Sequence, residues 1–239
     1  MRSHQRKVVG ILGGMGPEAT IDLFTKIVRS TPASKDQDHL RIIIDNNPLI
    51  PDRQKAILEG GISPVPLMIK TARNLKVAGA DFIVIPCNTA HYWIEQIRSA
   101  VKISVVDMID ETAEELSRSY PSIRTVGLLA ATGTVRSGLY QQRLFERGIR
   151  TVCPSDRDQD ELMEAIYAVK AGNMSKPSNA AIQIGQKLVG VGAEAAIAGC
   201  TEVPFIVKAG DLSVPIIDAT EVLARRTVEI ALGSVASRR

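Results

Sequence analysis

Short apolar runs alternate along this chain with longer segments whose apolar positions recur at helical spacing. The β-branched run at residues 7–12 ends in glycines and predicts a strand, and Pro17 predicts the first turn of the helix that follows. Residues 41–45 predict a second strand. The two prolines of segment 46–53 predict an irregular loop up to about Gln54. This alternation is typical of an α/β protein with mostly parallel sheets.

The alternation continues to the end of the chain. Further helices are predicted over residues 66–78, 89–101 and 109–120, and further strands over residues 80–85 and 104–107. Residues 218–233 predict a final amphipathic helix, because Val222, Leu223, Val228 and Ile230 repeat at helical spacing.

The pattern restarts near residue 124, where residues 124–134 echo residues 7–17 and residues 192–202 echo residues 79–89. Three landmarks keep their order at nearly the same offset. Gly10 and Gly127 lie 117 positions apart, Cys87 and Cys200 lie 113 apart, and Asp107 and Asp218 lie 111 apart. The chain is therefore predicted to be a duplicated α/β unit, with two similar parallel-sheet halves related by a pseudo-two-fold axis.

The repeated loops predict where a ligand binds. In open parallel sheets, ligands collect beyond the carboxyl ends of the strands. Four such loops are expected to meet in one cleft between the halves: residues 13–16, 87–89, 132–134 and 200–202.

Composition narrows the class of protein. The chain has 239 residues, of which 45% are apolar, which is enough for a sizeable core. The 29 basic and 26 acidic residues are spread along the chain, so nucleic-acid or membrane binding is not indicated. No apolar run approaches the roughly 20 residues of a membrane span, and the first residues lack a signal-peptide core. A cytoplasmic protein is expected.

The three cysteines are expected to be reduced, since they cannot all pair and a large chain of this kind gains little from disulfides. Cys87 and Cys200 directly follow apolar runs, at the same interval from a glycine. Cys153 has no counterpart in the other half, and a structural role is predicted for it.

Residues 14–19 fit the Gly-x-Gly-x-x-Ala form of a dinucleotide-binding loop, and the next strand ends in Asp45. However, Asp45 lies 29 positions after Gly16, farther than the usual roughly 20, and a proline-broken loop follows. The favoured interpretation is that these glycines let the backbone approach a small anionic ligand at a helix N-terminus.

Two other kinds of site are less well supported. The histidines are His4, His39 and His91, and only His91 lies near a candidate thiol, so no metal site is predicted. Cys87 with His91 provides part of a cysteine hydrolase but leaves Cys200 unexplained. For His91 itself, packing and hydrogen bonding that tunes Cys87 both stay open. Two equivalent thiols instead suit inversion at a carbon, which needs an acid and a base on opposite faces.

The motifs around both cysteines resemble those of a known family. Pro-Cys-Asn-Thr-Ala-His at residues 86–91, Gly-Cys-Thr-Glu at residues 199–202 and Gly-Gly-Met-Gly-Pro at residues 13–17 are similar to the aspartate racemases of the aspartate, glutamate and hydantoin racemase superfamily. Glutamate racemases typically have an Asp-Ser-Gly opening and a histidine after the second Cys-Thr. Glu202 and the glycine-rich opening therefore indicate the aspartate branch.

The resemblance implies a cofactor-independent racemase with Cys87 and Cys200 as its acid and base. It also implies that Arg53 and Lys170 bind the two carboxylates of aspartate, for which a guanidinium fork and a lysine point charge are chemically suited. Glu202 is expected to orient a thiol or the substrate ammonium. Further residues expected at the substrate are Met15, Gly16, Asn88, Thr89, Thr132, Gly133, Thr134 and Thr201.

Alternatives within and outside this chemistry remain. They are a sister racemase acting on glutamate, other amino acids or hydantoins, and a non-catalytic protein that binds a dicarboxylate. The resemblance further implies a homodimer and a discontinuous first domain. The expected division places residues 1–106 and 218–239 in the first domain and residues 107–217 in the second.

Overall fold

A computed structural model describes residues 6–173 and 178–233. Two four-stranded parallel sheets form its framework. The first sheet has the order β2-β1-β3-β4, with β1 at Val9–Gly13, β2 at Ile42–Asn46, β3 at Phe82–Val84 and β4 at Ser104–Val105. The second has the order β6-β5-β7-β8, with β5 at Thr125–Ala130, β6 at Arg150–Val152, β7 at Ala195–Gly199 and β8 at Ile216–Asp218. The predicted α/β class and the two similar halves are confirmed.

Helices connect the strands on both faces of the sheets. The first six are α1 Pro17–Ser30, α2 Arg53–Leu58, α3 Val65–Val77, α4 Ile94–Val101, α5 Met108–Ser119 and α6 Thr132–Arg136. The others are α7 Leu139–Phe145, α8 Asp156–Lys170, α9 Ser178–Gly190, α10 Val203–Ile206 and α11 Ala219–Leu232. Short 3-10 turns occupy Asp36–Asp38 and Thr89–Trp93.

The two sheets are paired in the same register relative to the repeated landmarks. Gly10 of β1 lies opposite Ile83, four residues before Cys87. Gly127 of β5 lies opposite Ala196, four residues before Cys200. The two repeats therefore differ in the lengths of the segments that connect their strands. The strands that precede the two cysteines are structurally equivalent.

The repeated aspartates cap equivalent helices. Asp107 accepts hydrogen bonds from the amides of Ile109 and Asp110 at the start of α5. Asp218 does the same for the first amides of α11, those of Thr220 and Glu221. Because a side-chain cap satisfies amides that have no partner within the helix, the same residue recurs at the same structural position.

The acids of the two Gly-Ala-acid repeats also have matching roles. Asp81 accepts a hydrogen bond from the Val8 amide over 2.7 Å. Glu194 accepts from the amides of Arg124 and Thr125. Each carboxylate thus ties the start of its cysteine-bearing strand to the neighbouring central strand.

The central strands β1 and β5 are buried along their whole length, as expected for strands covered by helices on both faces. Helix α11 returns to the first half, where Leu223, Ala224 and Val228 join the core cluster that contains Leu23 and Ile27 of α1. An ion pair between Lys26 and Asp218 also joins α1 to the end of β8, directly before α11 begins.

Two local predictions differ from the structure. Residues 89–101 are not one continuous α-helix, because Thr89–Trp93 forms a 3-10 turn before α4 begins at Ile94. Helix α2 begins at Arg53, one residue earlier than the loop prediction, because Asp52 caps the amides of Gln54 and Lys55. Within the described part of the chain, no helix is both long and apolar enough to cross a membrane.

Candidate active site

A cavity of about 70 Å³ lies between the two halves, at the carboxyl ends of the strands. The Cys87 and Cys200 thiols both line it, each beyond the end of the equivalent strand of its own sheet. The structure also places seven other predicted site residues in its wall: Met15, Arg53, Asn88, Thr89, Lys170, Thr201 and Glu202.

The cavity is small for a ligand site. Drug-sized ligands occupy pockets of about 300–1,000 Å³, whereas this space holds only a few water molecules. Its two cysteines are almost fully enclosed, with 7% of Cys87 and 8% of Cys200 exposed. The occupant must therefore be small, and its surroundings exclude most water.

His91 holds the Cys87 turn in place through the backbone. The Met108 amide donates to His91 Nε2 over 3.0 Å, so the proton of the ring lies on Nδ1, which donates to the Cys87 carbonyl oxygen over 2.8 Å. Burial is the largest influence on this ring and lowers the pKa of His91. His91 is thus a neutral link between the turn and α5, and both of its nitrogens are engaged away from the Cys87 thiol.

Cys200 has a carboxylate partner. Its Sγ donates a hydrogen bond to Glu202 Oε2 over 3.0 Å, and the Thr201 hydroxyl donates to the same oxygen over 3.1 Å. Burial and the Glu202 charge raise the pKa of the Cys200 thiol well above its usual value. Cys200 therefore holds its proton in the resting protein.

Lys170, at the end of α8, forms an ion pair with the other oxygen of Glu202. The Lys170 side chain is 32% exposed, while Glu202 is 4% exposed. Burial works against the ammonium charge, but the ion pair with Glu202 favours it, and the pKa of Lys170 is raised. A buried carboxylate needs such a partner, and the Lys170 ammonium provides it beside the thiol.

Arg53 approaches the cavity from the first turn of α2. Its guanidinium donates to the carbonyl oxygens of Ile50, Pro51 and Met15. Among the described residues, no carboxylate lies within ion-pair distance of it, so its charge is available to an anionic ligand. An arginine held by carbonyl groups is already oriented before the ligand arrives.

Asn88 follows Cys87 and is 2% exposed. The Tyr140 hydroxyl, from the second half, donates to Asn88 Oδ1 over 2.6 Å. Asn88 Nδ2 is buried and has no hydrogen-bond partner within the described chain. An unpaired buried donor is costly, and this one lies in the wall of the cavity, where a ligand oxygen can accept from it.

The loop at residues 132–134 lies behind the cavity wall. Thr134 is fully buried and shares a hydrogen bond of 2.8 Å with the Thr89 hydroxyl. The Gly133 amide donates to Gln54 Oε1 over 2.5 Å, and the Thr132 hydroxyl accepts from Gln159. Gly16 is at the N-cap of α1 and also lies outside the cavity lining.

The glycine-rich turn after β1 packs against protein backbone. Gly14 has φ of +94°, and a Cβ there would lie 2.3 Å from the Asn47 carbonyl carbon. Asp45, which would bind a ribose in a dinucleotide site, accepts a hydrogen bond from Asn74 of α3. The glycine at position 14 is thus required by the approach of the segment after β2.

The remaining histidines and Cys153 lie apart from the cavity. His4 is outside the described residues, and His39 follows the 3-10 turn at Asp36–Asp38. No three His, Cys, Asp or Glu side chains within residues 6–173 and 178–233 are grouped so that they could hold a metal ion. Cys153 is half-buried at the end of β6, where it accepts a hydrogen bond from Gln141.

Several residues of the site were not predicted from the sequence. Gln54 and Tyr140 connect the halves, and Met163, Ile166 and Tyr167 line the cavity from α8. The helical spacing of Met163, Ile166, Tyr167 and Lys170 was the available signal, because these positions share one face of a helix.

Comparison with known proteins assigns the family. Residues 12–227 match the Asp/Glu/Hydantoin racemase family. The chain belongs to this family, whose members are isomerases.

Three relatives cover nearly the whole chain. The structure of an aspartate racemase from Picrophilus torridus has 36% sequence identity and a TM-score of 0.81, with 94% of each chain covered. An aspartate racemase homologue from Pyrococcus horikoshii has 29% identity and a TM-score of 0.76, covering 95% of this chain and 99% of that one. The broad-specificity amino-acid racemase RacX of Bacillus subtilis is 29% identical over 94% of this chain and 98% of its own.

Proposed function

We propose that the chain is a cofactor-independent amino-acid racemase that interconverts L- and D-aspartate through the thiols of Cys87 and Cys200. The observation that carries this proposal is that the equivalent cysteines of two equivalent half-sheets line one enclosed cavity. A binding protein needs neither thiol, whereas a two-sided proton transfer needs both.

In the proposed reaction, one cysteine thiolate removes the α-proton from one face of the substrate. The other cysteine, as a thiol, returns a proton to the opposite face. The product leaves with the inverted configuration, and the protonation states of the two cysteines are exchanged. Because burial and Glu202 favour the protonated form of Cys200, we infer that Cys200 acts as the acid on the enantiomer whose α-hydrogen faces Cys87.

The α-proton is far less acidic than a thiol, whose usual pKa is about 8.5. The site must therefore stabilise the carbanion-like transition state. Arg53 supplies an unpaired positive charge, and Asn88 Nδ2 supplies an unpaired donor. Both act in a nearly closed cavity, where charges and hydrogen bonds are stronger than in water.

The charges around the cavity favour a dicarboxylic amino acid. Arg53 and Lys170 are cationic and Glu202 is anionic, while the other lining carboxylate, Asp52, is engaged as the cap of α2. Aspartate has two carboxylates and one ammonium group, which is the complementary set. We infer that Arg53 and Lys170 bind the two carboxylates, and that Glu202 faces the ammonium group when the substrate enters.

A broader range of amino acids is the second candidate. Lys170 is already paired with Glu202, so only Arg53 offers an unpaired cation within the described part of the site. The relative RacX is named as a broad-specificity racemase. A substrate with one carboxylate would satisfy Arg53 and leave the ion pair intact.

Exchange of the α-proton in deuterated water tests the function. The purified protein, without added cofactor, is incubated with L- and D-aspartate, glutamate, neutral amino acids and a hydantoin. Deuterium at the α-carbon of aspartate alone supports aspartate racemisation, and deuterium in several amino acids supports the broader enzyme. Tight aspartate binding without deuterium incorporation identifies a dicarboxylate-binding protein.

The expected division into residues 1–106 with 218–239 and residues 107–217 is also proposed here. The packing of α11 on α1 supports it, because the chain returns to the first half after β8. Residues 1–5, 174–177 and 234–239 of this division lie outside the described residues. The homodimer and the cytoplasmic location stay predictions.

A further inference from the structure

Gln54 links the two halves at the edge of the cavity. Its Oε1 accepts the Gly133 amide of α6 over 2.5 Å, and its Nε2 donates to the Thr89 hydroxyl over 3.2 Å. Thr89 in turn shares a hydrogen bond with Thr134, also in α6. One side chain from α2 thus uses both ends of its amide to hold the carboxyl-end loops of both sheets together.

The residue at position 133 is fitted to Gln54. A Cβ added to Gly133 would lie 2.9 Å from Gln54 Oε1, and its three nearest neighbours would all be atoms of the Gln54 side chain. A contact of 2.9 Å is too short for a carbon, so any side chain at position 133 would displace the Gln54 amide. Glycine at this position therefore lets the Gln54 amide make its close contact with the Gly133 backbone.

Gln54 directly follows Arg53 in the first turn of α2, which is only six residues long. Both side chains line the cavity. The hydrogen bond from Gly133 to Gln54 therefore fixes the helix turn that also carries the unpaired guanidinium. The family resemblance implies that Gly133 lies at the substrate, but its amide is already occupied by this contact.

We propose that Gln54 is a positioning residue that ties α2 to α6 and thereby holds Arg53 over the cavity. We assign Gln54 no contact with the reacting atoms. Its effect on activity rests on the proposed racemase function, whereas its effect on the order of α2 does not.

A double-mutant cycle tests the link between Gln54 and Gly133. Gln54→Ala removes the side chain, and Gly133→Ala displaces it. Each change is expected to lower kcat/KM for aspartate about tenfold, the factor that one or two hydrogen bonds contribute. The double variant Gln54→Ala/Gly133→Ala is expected to be no worse than Gln54→Ala, because the added methyl group then has nothing to displace.

Lys55→Ala is the matched control, since Lys55 is the exposed neighbour of Gln54 in the same helix. It should retain wild-type kcat/KM. A roughly hundredfold loss in the double variant would mean independent roles and would overturn the proposal. A rise in kcat/KM in Gln54→Ala would also overturn it, because Gln54 would then be occupying a position that the substrate needs.

Amide hydrogen exchange of the ligand-free protein gives a readout that does not depend on catalysis. The α2 amides should exchange about tenfold faster in Gln54→Ala and in Gly133→Ala, and at the wild-type rate in Lys55→Ala. Unchanged α2 exchange in both variants would contradict the proposal even if the protein racemises aspartate. Faster exchange in a protein that racemises nothing would leave the Gln54 link standing and remove only the proposed function.

Discussion

Cys200 donates a hydrogen bond to Glu202, whereas the other cavity cysteine, Cys87, is linked to His91 through its backbone carbonyl group. The two thiols are equivalent in position but differ in their surroundings. Glu202 is itself paired with Lys170. The duplicated fold thus places two equivalent thiols in the cavity and gives Cys200 a carboxylate partner, Glu202.

Replacement of Glu202 tests the origin of this asymmetry. Glu202→Gln removes the charge that raises the pKa of Cys200, so the Cys200 pKa should fall. The pH dependence of alkylation of Cys200 in a Cys87→Ser/Cys153→Ser background measures it. Glu164→Gln, at an exposed position of α8, should leave the profile unchanged. A Glu202→Gln profile that is unchanged or moves to higher pH would contradict the assignment.

Tyr140 is expected to orient the Asn88 amide. Tyr140→Phe keeps the buried ring but removes the donor to Asn88 Oδ1, so the amide can rotate and Nδ2 is no longer held in one orientation. The expected loss is about tenfold in kcat/KM, with about 1 kcal/mol of stability, as for one hydrogen bond. Steady-state kinetics and urea unfolding measure both. Loss of stability with wild-type kinetics would show that Tyr140 is only structural.

His91 makes stability depend on pH. Its pKa is lowered in the folded protein, so the unfolded chain binds the proton first as the pH falls. The contribution of His91 to the free energy of unfolding is complete above its usual pKa of about 6.5. It is lost as the pH falls from there toward the lowered pKa of the folded protein. Urea unfolding between pH 8 and pH 5 measures the effect.

His91→Leu is expected to lack this part of the pH dependence. It should also lower the free energy of unfolding by on the order of 2–4 kcal/mol at pH 8, because the buried Met108 amide and Cys87 carbonyl lose their partner. A variant with the same slope between pH 6.5 and pH 5 as the wild type would show that other groups cause it.

Substitution of either repeated glycine, Gly10 or Gly127, by alanine should lower the stability of the protein, but by different amounts. A Cβ at Gly10 would lie 2.9 Å from Ala80 Cβ, and one at Gly127 would lie 3.1 Å from Leu188 Cβ. Gly10→Ala is expected to cost about 1–3 kcal/mol, and Gly127→Ala less, since the second contact is looser. Ala80→Gly should restore much of the stability lost in Gly10→Ala. If it does not, close packing of β1 is not the reason for Gly10.

The duplicated architecture was predictable because its determinants are local. Gly10, Cys87 and Asp107 recur at Gly127, Cys200 and Asp218, and the register of strand pairing and the helix caps explain two of these recurrences directly. A glycine at a closely packed strand position and an aspartate that caps a helix can both be recognised in a sequence.

The contacts between the halves were not predictable in the same way. Gln54 meets Gly133, and Tyr140 meets Asn88, only after distant segments are folded against each other, so neither contact joins residues that are close in sequence. His91 and Glu202 have one partner close in sequence, Cys87 and Cys200 respectively, but their other partners, Met108 and Lys170, lie far along the chain. Sequence patterns thus indicated which loops converge, while the hydrogen bonds within the site required coordinates.

Cys87 and Cys200 are the two groups of the proposed proton transfer. Cys153 provides a matched control because it lies outside the cavity. General acid and base groups typically contribute factors of about 10²–10⁴. Cys87→Ser and Cys200→Ser are each expected to lose at least about a hundredfold in racemisation while retaining aspartate binding, and Cys153→Ser should keep wild-type activity.

The most direct measurement is the conversion of L-aspartate to D-aspartate by these three variants in deuterated water, without added cofactor. We predict that Cys87→Ser and Cys200→Ser both fail to produce α-deuterated D-aspartate, whereas Cys153→Ser produces it at the wild-type rate. Wild-type production by either cavity variant would contradict the two-thiol mechanism.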